Sequence, residues 1–286
     1  MIGGEKVVLG RTFKAGGGYE EGIELLKMLA NHPSTAKFIC KKIATRFVSD
    51  NPSPTLVDKM AKTFREKEGD IKQVLLTLVN SPEFWSKDAV REKTKSPFEL
   101  AVSAVRCLNA DIRMPYQLYN WVDKMGQKMY FYQAPTGFPD KGQYWINSGA
   151  LLTRMNFGLA LSSQRIPGIR INLLDLNQGR EPESAEAALN TYGKIIMPER
   201  DLRQTTAHLT PLLHDPQLQQ KVESKAAGVG RQQVEADEMD QMTAKNSQDR
   251  MLQEDGKLVL TEPDKGNNML SQVVGIIIGS PEFQRR

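Results

Sequence analysis

With 286 residues, 40% of them hydrophobic and 25% charged, the chain has ordinary globular composition and the length of one large domain or two small ones. A formal net charge of +4, spread along the chain, carries no nucleic-acid footprint. The longest apolar run, Val273 to Ile278, is interrupted by Gly275 and falls far short of the ~20 residues that span a bilayer.

The chain begins Met1-Ile2-Gly3-Gly4-Glu5-Lys6, and no basic-then-apolar signal peptide is visible in it. Its two cysteines, Cys40 and Cys107, each sit in an amphipathic helix pattern and read as small core residues, without disulfide or metal spacing. Val7-Val8-Leu9 is too short to assign to strand or helix. Gly16-Gly17-Gly18 lacks the Lys-Ser/Thr pair of a phosphate cradle and reads as a flexible connector.

Helix patterns then follow one another. Ile23, Leu25, Leu26 and Leu29 form an apolar face ending near Asn31, and His32-Pro33-Ser34 breaks the chain. The next helix presents Phe38, Ile39, Ile43 and Phe47 and stops at Ser49-Asp50-Asn51-Pro52. Pro54 opens a third, with Val57, Met60, Ala61 and Phe64 as its stripe and Gly69 as its end. Asp70 caps a fourth, whose Ile71, Val74, Leu75, Leu78 and Val79 recur at i, i+3, i+4, i+7, i+8. Ser96-Pro97-Phe98-Glu99 is a capping box opening a helix through Ala101, Ala104, Val105 and Leu108. Another helix spans Pro115 to about Met125.

The stretch from Gly126 to Phe157 is where function is sought. Its first half holds two prolines and three glycines, counting Gly126 and Gly142, which excludes a regular element. It also carries five aromatics between Tyr130 and Tyr144, so the loop should bury area. Its second half predicts a long helix from near Trp145 to about Ser163, apolar on two sides and therefore central in a bundle. Arg154 on that helix should be at least partly buried and needs a carboxylate or carbonyl partner, for which Asp140 is a candidate.

Beyond Pro167 the pattern weakens. Ile169 to Leu176 reads as extended, with short helices at 183–190 and 201–213. Residues 216–256, rich in Gln, Glu, Asp and Lys, predict a solvated helix or disordered insertion, with order returning at about Lys257. The chain ends on a repeat: QVLLTLVNSPEF from Gln73 to Phe84 returns as QVVGIIIGSPEF from Gln272 to Phe283. Each is an apolar helix closed by a capping serine and a helix-starting proline.

Several motifs together resemble a bacterial protein family known as domain-of-unknown-function family 1800. They are His32-Pro33-Ser34-Thr35-Ala36 with Lys42 and Arg46-Phe47-Val48, Ser81-Pro82-Glu83-Phe84-Trp85, and Lys95-Ser96-Pro97-Phe98-Glu99. Gly126-Gln127, Pro135, Gly137-Phe138-Pro139-Asp140, Trp145, Leu151-Leu152, Arg154 and Asn156-Phe157 continue the match, and Ser280 to Arg286 closes it. The resemblance covers residues 1 to about 165 and about the last fifteen. It implies a longer, often exported protein of which this chain is the C-terminal half, hence a periplasmic or extracellular location. It implies no activity.

The residues point to no established chemistry either. Of the three histidines, His208 and His214 with Asp215 have the wrong spacing for one helix face, so no metal and no cofactor is expected, and His32 reads as a turn residue. Asp140 is the best single candidate for an acid or base, beside aromatics that could stack on a sugar, with Asp123 or Glu99 as conceivable second carboxylates. Capping the following helix or pairing with Arg154 is the structural alternative for Asp140. Gln127, Tyr130, Tyr132, Phe138, Tyr144, Trp145, Arg154 and Asn156 are the ligand-binding candidates, with a structural role favoured for Arg154 and Asn156.

The expected fold is all-α, a multi-helix bundle with a long aromatic, proline- and glycine-rich loop packed across it. Residues 1–165 form the bundle, 166–215 a weaker helical or extended segment, 216–256 the polar insertion, and 257–286 a helix returning to the bundle. The expected function is a binding or structural module of the cell envelope with an envelope protein or glycan as partner. The alternative is a polysaccharide-acting hydrolase or lyase using Asp140 and the loop aromatics.

Overall fold

Proline after a capping side chain starts three of the helices. A computed structural model describes residues 4–198, 200–213 and 268–286; the polar stretch 216–256, His214 and Asp215 lie outside them. His32 Nδ1 accepts from Ser34 N at 3.1 Å and opens α2 (Pro33–Phe47). Ser53 caps α3 (Pro54–Glu66) through Leu56 N. Ser96 and Glu99 form the full capping box of α5 (Pro97–Cys107). Each proline removes an N–H that would have been unsatisfied in a first turn. No helix among the described residues is long and apolar enough to cross a membrane.

The chain divides into two units, with the boundary between Thr94 and Lys95. The first holds residues up to Thr94, Pro139–Gly142 and Arg286. It begins with a hairpin, β1 (Lys6–Val8) against β2 (Arg11–Phe13), where no element could be assigned from sequence. Its turn residues Leu9 and Gly10 both take positive φ, 50° and 79°, as a two-residue hairpin turn requires. Helix α1 (Gly18–Ala30) follows and, despite its apolar face, has no buried residue. Helices α2, α3 and α4 (Ile71–Val79) make the core of this unit.

Of the stripe expected on α2, Ile43 packs against the core, but the fully buried positions are the small residues beside it. Ala36, Cys40 and Ala44 are buried, while Phe38 and Phe47 stand exposed. Small side chains let α2 lie close against α3, which a phenylalanine face would not. Burial pushes the Cys40 thiol up to about 11, consistent with an inert core residue.

The second unit holds Lys95–Phe138 and Gln143–Arg285. Besides α5 it contains β3 (Asp111–Ile112), α6 (Tyr116–Lys124), α7 (Ser148–Ser162), β4 (Ile169–Arg170), α8 (Leu173–Leu176), α9 (Ala185–Ile196), α10 (Leu202–Leu213) and α11 (Asn268–Gly279). The segment expected to be extended is only briefly so: β4 pairs antiparallel with β3, then Asn172 caps α8. With strands of two or three residues, the fold is mostly α-helical.

Helices α7 and α11 form the centre of this unit. They cross where both lack side chains. A methyl added at Gly158 would meet the Gly275 carbonyl at 2.8 Å, and one added at Gly275 would lie 2.9 Å from Leu159 Cα. Gly279 faces Met155 in the same way, at 3.2 Å. Residues Val273 to Ile278 are all buried, so α11 is apolar all round and must be enclosed. Helices α9 and α10 enclose it from the other sides, with Leu189, Tyr192 and Leu209 in the same core.

Gly275→Val is expected to destabilise the protein by about 2–3 kcal/mol, because the backbone of α7 cannot yield. Gly22→Ala, on exposed α1 with nothing within 4 Å, is expected to be neutral or slightly stabilising. Urea unfolding of the two variants beside the parent checks both.

Candidate functional site

The aromatic loop starts at a helix end. Gly126, with φ of 99°, closes α6: its N–H donates to Asp123 O at 2.8 Å, and Gln127 N donates to Val122 O at 3.0 Å. This pair of hydrogen bonds to the last carbonyls needs a left-handed residue, which glycine supplies at little cost. Gln127 then turns to α5, where its Oε1 accepts from Phe98 N at 2.9 Å. The amide oxygen thus satisfies one of the free N–H groups at a helix start.

The aromatics of the second unit run from buried to exposed. Trp145 is buried, Phe138 lies 5.9 Å from it, and Tyr132 lies 4.6 Å from Phe138, ring centre to ring centre. Tyr132 is half open to solvent. Beyond this ladder Phe131 and Tyr144 are exposed, and Lys128 Nζ sits 4.6 Å over the Phe131 ring. Tyr130 is 99% exposed and holds φ of 67°, a left-handed conformation rare for an aromatic residue. Its side chain contributes nothing to the core it stands on.

Asp140 is placed with the first unit, as part of Pro139–Gly142. Its backbone, not its carboxylate, makes the recorded contact there: Lys93 Nζ donates to Asp140 O at 2.7 Å. Lys93 is itself buried and ion-paired to Asp50. The other Asp50 oxygen accepts from Gly142 N at 2.7 Å, and the Asp50 N–H donates to Glu92 at 3.1 Å. Lys141 reaches Asn51 Oδ1 at 3.1 Å. A buried lysine and one aspartate therefore clamp residues 140 and 142. Sequence reading missed this clamp, because Arg91-Glu92-Lys93-Thr94-Lys95 looks like a solvated charge run.

Neither structural role expected for Asp140 is the one found. The cap of α7 is Asn147, whose Oδ1 accepts from Ala150 N at 2.8 Å. Arg154 is fully buried, but its partners are neutral. Nη1 and Nη2 each donate to the Lys95 carbonyl at 3.0 Å, and Nη1 donates to Gln284 Oε1 at 3.2 Å. Nε has no partner among the described residues. The Gln284 amide nitrogen donates onward to Gly279 O at 2.8 Å, and Lys95 N donates to Gln284 O at 2.8 Å. Arg154 thus ties α7 to the start of α5 and to the turn that closes α11.

Burial lowers the Arg154 pKa to about 10, partly opposed by the Glu99 charge. A base depressed in the fold costs stability at every pH below about 10, and the cost fades as pH rises through that value. The hydrogen bonds offset that cost. Asn156, the last polar candidate, lies two positions along the same helix and is partly buried.

The other polar candidates have structural partners. His32 caps α2, and His208 Nδ1 lies 3.7 Å from Glu282. Burial pushes the Cys107 thiol up to about 12, well away from a usable nucleophile.

A family described as protein of unknown function (DUF1800) matches residues 3–285. The chain belongs to this family. The match runs through the region between about residue 165 and the closing motif, which the motif reading left out. No curated protein and no solved structure matches the chain.

Arg154→Ala would leave the Lys95 carbonyl and the Gln284 amide unsatisfied and a cavity behind them. A loss of about 3 kcal/mol is expected. Asp140→Asn keeps the carbonyl that Lys93 uses and should leave the melting temperature of the parent unchanged. A large loss in Asp140→Asn would contradict this assignment of partners.

Proposed function

We propose that the chain is a non-catalytic binding module of the bacterial cell envelope, contacting an envelope glycan or protein through the aromatic loop of its second unit. The observation that carries the reading is Tyr130: 99% exposed, on left-handed backbone, and next to a ladder of rings anchored on buried Trp145. An exposed aromatic side chain is costly in solubility and idle in folding, whereas tyrosine is a frequent anchor of binding surfaces. Exposed Phe131 and Tyr144 provide further ring surface in the same loop, of the kind that stacks on a sugar or on an apolar side chain. Export and the envelope location belong to this proposal through the family resemblance.

Isothermal titration against a panel of purified envelope glycans, and against envelope protein fractions, tests it. Saturable binding without turnover is expected. Tyr130→Ala should weaken it roughly thirtyfold, the effect of losing about 2 kcal/mol at an anchoring ring, with melting unchanged. Glycan turnover that Asp140→Asn abolishes would replace this reading with the polysaccharide-cleaving one. Binding untouched by Tyr130→Ala would remove the loop from the site.

A further inference from the structure

Helix α2 has two faces of opposite character. Ala36, Cys40 and Ala44 lie in the core of the first unit. Ser34, Lys37, Phe38, Lys41 and Lys42 recur at i, i+3, i+4, i+7 and i+8 and are all exposed. That spacing makes them one continuous outward stripe. Phe38 stands in the middle of it, 60% exposed, with Lys42 Nζ 5.7 Å from the centre of its ring. The helix holds four basic residues, Lys37, Lys41, Lys42 and Arg46, and no acid. Four is also the formal excess of the whole chain, so its other bases and acids balance.

The protein itself does little to neutralise the stripe. Lys37 pairs with Asp58 of α3 at 2.8 Å, but both side chains are more than half exposed, and such a pair is weak and screened by salt. Lys41 and Lys42 make no ion pair among the described residues. What meets this face must therefore bring negative charge to the ammonium groups and an apolar place for the ring. A polysaccharide would also need acceptors for its hydroxyls, and the stripe offers only that of Ser34. A lipid surface with anionic headgroups meets both demands: phosphates at the level of the lysines and, just beneath, the acyl boundary that an aromatic ring enters. Lysine stems lie along that boundary while their charged ends stay in the headgroup layer.

We propose that the outer stripe of α2 is a peripheral contact for a membrane surface containing anionic phospholipid. Phe38 enters the headgroup–acyl boundary, and Lys37, Lys41 and Lys42 lie over the phosphates. The opposite face of α2 stays on its own core, so the contact needs no unfolding. It uses no residue of the aromatic loop and is independent of the binding function proposed above.

Flotation of the full 286-residue chain with vesicles tests the contact. Phosphatidylcholine vesicles are compared with vesicles of phosphatidylcholine and phosphatidylglycerol. Binding is expected only to the mixed vesicles and should fall as salt is added. Lys41→Gln and Lys42→Gln should each weaken it about fivefold, and Phe38→Ala about tenfold. Melting should not change, because all three side chains are exposed. Lys72→Gln, at an exposed position of α4, should leave binding as it is. Acetylation of lysines, read by mass spectrometry, checks the stripe directly. Lys41 and Lys42 should react in the free chain and be protected by the mixed vesicles, whereas Lys72 should react in both. No binding, equal binding to neutral vesicles, an equal loss with Lys72→Gln, or Lys41 and Lys42 unreactive in the free chain would each overturn the proposal. Binding to a soluble acidic polysaccharide but not to vesicles would overturn it as well, and would give the stripe to a different polyanion.

Discussion

The second unit depends on a contact made by the absence of side chains. Gly158 and Gly275 let α7 and α11 approach until backbone meets backbone, and this is the most extensive helix packing of that unit. Close packing there gains dispersion contacts along both helices. Arg154 is fully buried on α7, so its guanidinium needs partners within the protein. It finds the Lys95 carbonyl and Gln284, two groups that sit at the start of α5 and past the end of α11. One side chain thereby fixes the ends of two helices relative to a third, and α7 follows directly on the segment that carries Tyr144 and Trp145.

The aromatic loop is held at its other points by ordinary means. Gly126 ends α6, Gln127 caps α5, and Trp145 is buried under Phe138. In the first unit, Lys93 and Asp50 hold residues 140 and 142 by their backbone atoms. Side chains that could act on a ligand are those left over from this anchoring, Tyr130 foremost.

How much of this could be read from sequence varies by the kind of signal. Helix starts were legible because Ser-Pro and His-Pro carry their own chemistry: a cap and a preset φ. The Ser-Pro-Glu-Phe turns were legible for the same reason. The buried face of α2 was not, because the pattern weighs phenylalanines above alanines, and close helix contact prefers Ala36, Cys40 and Ala44. A carboxylate or carbonyl partner was expected for Arg154, with Asp140 as the candidate. The Lys95 carbonyl and the Gln284 amide hold it instead of Asp140, and charge patterning does not single them out because neither is charged. Within the candidate set, the Gln127 side chain holds the start of α5 and Arg154 joins α7 to the start of α5 and the turn after α11. Asp140 is held through a backbone atom that every residue has, so its identity left no trace of that contact in the sequence.

Native-state hydrogen exchange gives the most direct test that the α7–α11 crossing, locked by Arg154, is what the second unit is built on. Amides of α7 and α11 should be the slowest of that unit and exchange together, in one event that Arg154→Ala accelerates as a block. Slow exchange confined to α9 and α10, with α7 opening independently of α11, would contradict the account.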